Sequence, residues 1–318
     1  MTGHGERPLA GPLASTNAPR NPAFGAQPAP VGDATDPPLP VSSVRLSHRG
    51  LVELAAQLSD RDRELLETLE RLRLLQSDQV RRLFFAQIAT EAASARVSRR
   101  ALQRLCELRL VHRLERRVGG VRAGSRGTVY TSTARGRRLI AYWNGKGAAS
   151  DRGVHEPGAA FVAHQLAVSE LYVTLVETHR AGTIELLAFE GEPQCWRTFT
   201  GPLGGPRIVK PDARVELAVG EYEHVSFVEV DLGTEGRGAL TRKCAAYLAY
   251  YRAGREQAEH GLFPRIVWIT PNPARVQAIE SVRRALPVDS RKLFVTAPTG
   301  AALAALAGGE DARQEGSA

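Results

Sequence analysis

The chain has 318 residues, with 42 Lys or Arg against 34 Asp or Glu, for a formal charge of +8 and a pI near 9.8. It shows neither an apolar run near the ~20 residues of a membrane helix nor an N-terminal charged-then-apolar signal pattern, so a cytoplasmic protein with no membrane partner is expected. Cys106, Cys195 and Cys244 stand far apart with no paired spacing, which suggests neither a disulfide framework nor a structural zinc site and reads as separate buried thiols.

The charge is unevenly placed. Residues 45–146 hold 22 Lys or Arg against 10 Asp or Glu, an excess of +12, whereas residues 147–318 carry 18 against 21. A basic stretch of this kind is the footprint expected of a phosphate-binding surface. Residues 1–44 contain nine of the 19 prolines and no apolar periodicity, and read as a disordered arm. Residues 45–146 form a first folded unit, 147–157 a linker, 158–302 a second unit and 303–318 a disordered tail.

In the basic unit, "LSDRDRELLETLERLRLL" opens on Ser59 as an N-cap and carries Leu65, Leu69 and Leu72 at helical spacing. A second helix starts at "SDQVRRLFF", with Ser77 as its cap and Val80, Leu83 and Phe84 as its stripe. The third, "SARVSRRALQRLCELRL", divides when wound at ~100° per residue. Val97, Ala101, Leu102, Leu105, Cys106 and Leu108 fall on one half. Arg96, Arg99, Arg100, Gln103 and Arg104 fall on the other, with Glu107 as the lone carboxylate. Two β-rich segments flanking a Gly and Arg loop follow, then a short helix from Thr133.

This order predicts a winged helix-turn-helix bound to double-stranded DNA. Its third helix would lie in the major groove, where Arg bonds guanine and Gln bonds adenine. Arg116, Arg117, Arg122 and Arg126 on the wing would reach phosphates or a minor groove.

The second unit reads as a long helix, "AAFVAHQLAVSELYVTLVETH", a strand "TIELLAFEGE", two strands "RIVKPDARVELAVG" and "EHVSFVEVDLG", a helix "ALTRKCAAYLAYYRAG" and a buried strand "FPRIVWIT". That order predicts an α/β sandwich with a mixed sheet. Asp212 follows Pro211 at a strand start, while Glu229 and Asp231 sit two apart on an otherwise apolar strand and share a face. Carboxylates so placed are costly unless paired or metal-bound.

Pro-Asp followed seventeen positions later by Glu-x-Asp resembles the PD-(D/E)XK nuclease superfamily. The resemblance implies that Asp212, Glu229 and Asp231 hold Mg²⁺ while a lysine activates water. Asp231 occupies the motif's lysine position, and Lys243 on the next helix is the substitute, ahead of Arg242 and Lys210. Thr234, Glu235 and Glu190 are further candidates for the polar shell, and His164 reads as a core or capping histidine.

As a whole, residues 58–270 resemble the replication-relaxation proteins of actinobacterial plasmids and integrative elements. The segments carrying the likeness are "LSDRDRELLETLERLRLLQSDQVRRLFF", the stretch from "RRALQRLCELRLVHRLERR" to "GTVYTSTARGRRL", "HQLAVSELYVTL" and "KPDARVEL…FVEVDLGTEG…KCAAYLAYY…FPRIVWIT". This implies a DNA-binding accessory protein of plasmid or mobile-element replication or transfer, working with other replication or transfer proteins. A Mg²⁺-dependent endonuclease and a transcription regulator are the alternatives.

Overall fold

The computed structural model describes residues 47–114, 127–145, 157–201 and 204–309. The expected arm, most of the wing loop with its four arginines, the expected linker apart from Pro157, and residues 310–318 lie outside the described residues.

Helix α1 (His48–Ala55), which the sequence pattern does not announce, is capped by Ser47, whose Oγ accepts from Gly50 N at 3.2 Å. Helix α2 (Asp60–Leu72) opens as expected on Ser59, whose N–H donates to the Asp62 carboxylate at 2.9 Å in a reciprocal cap. After β1 (Leu75–Gln76), helix α3 (Ser77–Phe84) starts one residue differently: Gln76 is the cap, and its N–H donates to Gln79 Oε1 at 2.9 Å. Helix α4 (Glu91–Glu107) begins three residues before the expected start, on Thr90, which accepts from Ala93 N. Strands β2 (Val111–Arg113) and β3 (Val129–Ser132) and helix α5 (Ala134–Trp143) complete this part. β3 lies between β1 and β2, antiparallel to both, so the expected two-stranded element has a third strand.

Helix α6 (Ala159–Arg180) leads to β4 (Glu185–Gly191), then β5 (Arg197–Thr200) and β6 (Pro206–Val209), which among the described residues pair with each other in a separate two-stranded sheet. The chain continues through β7 (Ala213–Val219), β8 (Tyr222–Val230), α7 (Arg237–Arg252), α8 (Arg255–His260), β9 (Arg265–Thr270) and α9 (Pro273–Arg284). It ends in β10 (Phe294–Pro298) and α10 (Ala302–Leu306). The segment expected to be one strand from Arg207 to Val219 is two strands in different sheets. Pro211, which lacks the N–H a ladder needs, marks the break.

The main sheet runs β10-β9-β8-β7-β4, with β10, β9 and β8 parallel and β8, β7 and β4 antiparallel. The expected mixed sheet is therefore present in an α+β chain. Gly220, at φ 59°, supplies the left-handed backbone that the two-residue turn from β7 to β8 requires. Alternating residues split the sheet's faces. Phe227, Ile266 and Trp268 face α7 and α9, whereas Val228, Val267 and Ile269 face α6 and α10. Residues 303–306, expected in the tail, are helical, and Leu306 is fully buried.

Leu65, Leu102 and Leu139 of the helical part belong to the same apolar cluster as Val173, Val215 and Val267 of the sheet part. The two units expected from the sequence thus share one core. An ion-pair network reinforces the join: Arg82 of α3 bonds Glu177 through Nε at 2.8 Å and also reaches Glu170, both on α6. At 22 residues, α6 is the one helix among the described residues long and apolar enough to cross a membrane, which corrects the expectation that the chain holds no such run. Its Val168, Leu171, Val173 and Leu175 are buried, and its two glutamates hold Arg82.

Candidate functional sites

Two groups of side chains stand out. The first is the outer face of α4, where Arg96, Arg99, Arg100 and Gln103 are exposed. Among the described residues no carboxylate pairs with Arg96, Arg99 or Arg100, and Gln103 donates to Glu107 at 3.0 Å. Arg104, expected on this face, is engaged elsewhere: its guanidinium pairs with Asp62, the capping carboxylate of α2. That bond, with the Ser59 bonds, holds Asp62 below the usual carboxylate range against the opposing pull of its burial. Arg116, Arg117, Arg122 and Arg126 fall outside the described residues.

The buried side of α4 also differs from expectation. Ser94, Ser98, Leu102 and Leu105 are buried, whereas Val97 is 37% exposed. The helix is therefore turned about its axis from the position that hydrophobicity alone predicts.

The second group lies at one end of the main sheet. Glu229 on β8 is buried; its Oε2 accepts from Lys243 Nζ at 2.8 Å and its Oε1 from Tyr247 OH at 2.6 Å, both donors on α7. Lys243 Nζ also meets Glu235 Oε1 at 2.9 Å and lies over the Trp268 ring at 5.4 Å. Burial, with Asp212's charge adding to it, pushes the Glu229 carboxyl up to about 7, while Lys243 pulls the other way. For Lys243 the carboxylates around it outweigh burial, so its ammonium is held above the usual lysine range.

Asp212 uses its other neighbours. Oδ2 accepts from Val230 N at 2.7 Å and Oδ1 lies 3.1 Å from His164 Nε2 on α6. That bond raises the His164 imidazole above its ordinary value, against burial. Asp231, one residue past β8, accepts from Gly233 N at 2.6 Å and from Arg275 Nε on α9 at 2.9 Å. Glu229 and Asp231 both turn to the α7 and α9 side, as their spacing predicts, but to different cations.

The sequence-predicted set is thus brought together in part. Glu229 and Lys243 touch directly, Asp212 acts on Glu229 through its charge, and Asp231 is drawn off by Arg275. Of the lesser candidates, Glu235 joins Lys243, whereas Glu190 pairs with Arg197 and Lys210 stacks on Trp196. His164, Tyr247 and Arg275 are members that the sequence pattern does not assign to the cluster. Arg275, the cation that Asp231 meets, lies 44 residues on, behind the Asn272 cap.

A Mg²⁺ site needs several oxygens open to one ion. Here the carboxylate oxygens accept from lysine, tyrosine, arginine, histidine and backbone donors. Among the described residues no group of three or more His, Cys, Asp or Glu side chains is arranged to hold a metal ion. The donor set does not fit the implied metal.

The fold and these sites define an α+β protein in which a basic helical part is fused to a mixed-sheet part with a self-neutralised polar cluster. The chain belongs to the replication-relaxation family, whose model matches residues 66–266, more than half of its length. Membership points to a role in replication or transfer of plasmids or other mobile elements. No curated protein and no solved structure matches it.

Proposed function

We propose that this chain is a DNA-binding accessory protein of plasmid or mobile-element replication or transfer. In this reading α2, α3 and α4 with β2 and β3 act as a winged helix-turn-helix, and α4 enters the major groove of duplex DNA. The observation that carries the reading is the exposed row Arg96, Arg99, Arg100 and Gln103, whose three arginines have no carboxylate partner among the described residues. A face that served only for solvation would mix both signs.

The sheet part is a platform that keeps the order of carboxylates of a PD-(D/E)XK-like core but closes it with Lys243, Arg275 and His164. Its role is to hold the DNA-reading helices through the shared core and to meet other replication or transfer proteins.

Electrophoretic shifts of duplex DNA by the full chain at graded salt test the proposal. Wild type should bind with a steep salt dependence, and Arg99→Ala with Arg100→Ala should lower the slope of log affinity against log salt by about 0.9 for each phosphate that is no longer neutralised. No salt-dependent shift of duplex DNA would sink it. Cutting or nicking of the bound duplex in Mg²⁺ or Mn²⁺, abolished by Asp212→Ala, would replace the platform role with an endonuclease.

A further inference from the structure

Helix α4 turns serines inward and a valine outward. Ser94 and Ser98 are buried with Leu102 and Leu105, and Val97 stands 37% exposed among arginines. Folding alone favours the reverse. Full burial of a valine gains about 1.5 to 3 kcal/mol, whereas a buried hydroxyl must find a partner, as Ser94 Oγ does at Phe85 O, 2.8 Å away. An apolar side chain left out of a core that instead accepts two serines is explained when the outward position has its own partner.

The surroundings state what that partner offers. Arg100 lies three residues on, next to Val97 on the helix surface, with Arg96 and Gln103 beyond it, while Arg104, seven residues on, is taken up by Asp62. The partner must therefore be anionic overall and present a small apolar group beside hydrogen-bond acceptors. Duplex DNA does so in its major groove, where thymine carries a C5-methyl group among the acceptors of neighbouring bases, guanine N7 and O6 included.

We propose that Val97 is a specificity-determining residue that packs on a thymine C5-methyl, beside a base edge read by Arg100. The assignment rests on α4 being the groove-reading helix. It commits the recognised sequence to at least one thymine whose methyl group is felt.

The experiment enriches a preferred site from a pool of random-core duplexes with the full chain, then replaces each thymine of that site in turn by deoxyuridine, which removes only the methyl. At one position the replacement should weaken wild-type binding by about fourfold, as loss of one buried methyl predicts. Val97→Ala should bind thymine and deoxyuridine duplexes alike there, with an unchanged salt slope. Val97→Thr, which keeps one methyl, should retain part of the difference.

The proposal is overturned if no site enriches, if no thymine is sensitive, or if Val97→Ala keeps the full sensitivity. Any of these leaves salt-dependent duplex binding standing. Failure of wild type to shift any duplex removes the DNA-binding reading itself.

Discussion

Lys243 Nζ sits 2.8 Å from Glu229 Oε2, pairing an ammonium on α7 with a carboxylate that the sheet buries almost completely. The pair is an internal neutralisation: Tyr247 donates to the second oxygen, so each oxygen of Glu229 has its own donor. Removing one partner is far more costly than removing both, because an uncompensated buried charge remains. At pH 8, where Glu229 is ionised, Lys243→Met should therefore destabilise the chain by about 3 kcal/mol, and adding Glu229→Gln should recover most of that deficit. Urea unfolding of the two single variants and the double measures this, and a deficit below about 1 kcal/mol for Lys243→Met would contradict it.

The same carboxylate gives stability a sign with pH. Its folded value is raised to about 7 from an ordinary 4.5, so between those values the folded chain holds a proton that the unfolded chain has released. Stability should thus fall as pH rises from about 4.5 to 7, by up to about 1.4 kcal/mol per unit from this group, and level off above. His164 works in the same direction: raised by Asp212, it contributes stability present below its unfolded value and lost as pH passes its folded one. Denaturant midpoints across pH 5 to 8 should show a slope that Glu229→Gln flattens. An identical slope in wild type and Glu229→Gln would refute the assignment.

How far this cluster could be read in advance depends on range. Residues on one element were legible: Ser59 and Asp62 announce the α2 cap, and the two-residue spacing of Glu229 and Asp231 puts both on one side of the sheet. Lys243 was legible because it lies one helix away from Glu229. Arg275 was not, because its bond to Asp231 depends on α9 returning beside the end of β8, which no local period records. β10 was hidden for the same reason, since among the described residues its sheet partner is β9 across a whole crossover. Val97 differs: winding the helix by hydrophobicity assumes that valine outranks serine for burial, whereas here Ser94 and Ser98 are buried, Ser94 Oγ donating to Phe85 O, and Val97 is turned outward.

Gly136 offers a test of the packing between α5 and the turn that follows α4. It lies in the first turn of α5, where a Cβ would come within 2.3 Å of the Leu110 carbonyl oxygen. In an open helix Gly→Ala gains up to about 1 kcal/mol. Here the sign should reverse, because the obstacle is backbone anchored by the Thr133 N–H bond to Leu110 O at 3.1 Å. Gly136→Ala should destabilise by about 2 kcal/mol or more, in the range of overpacked cores. A thermal unfolding midpoint equal to or above that of wild type would disprove the close approach.

The join between the helical and sheet parts can be weighed through Arg82. Its guanidinium bonds Glu177 at Nε and Nη2 and Glu170 at Nη1, a forked geometry rather than a single loose pair. The glutamates are partly exposed, so the coupling between Arg82→Ala and Glu177→Ala in a double-mutant cycle should be about 1 kcal/mol, not the several of a buried pair. A coupling indistinguishable from zero would mean that the apolar core alone joins the two parts.

Arg104 separates folding from recognition on α4. It shares the arginine-rich half with Arg99 and Arg100, yet its guanidinium reaches back to Asp62, which caps α2 through Ser59. Its removal takes a cation from a buried carboxylate that also serves as the cap, so Arg104→Ala should cost about 1 to 2 kcal/mol of stability. It should also leave the salt slope of DNA binding close to that of wild type. Arg99→Ala and Arg100→Ala should do the opposite, since both are exposed and no carboxylate among the described residues pairs with them: stability within about 0.5 kcal/mol of wild type and a reduced salt slope. Measuring both quantities on all three variants decides the matter. If Arg104→Ala lowered the slope as much as the other two while leaving stability intact, its bond to Asp62 would not be what fixes its role.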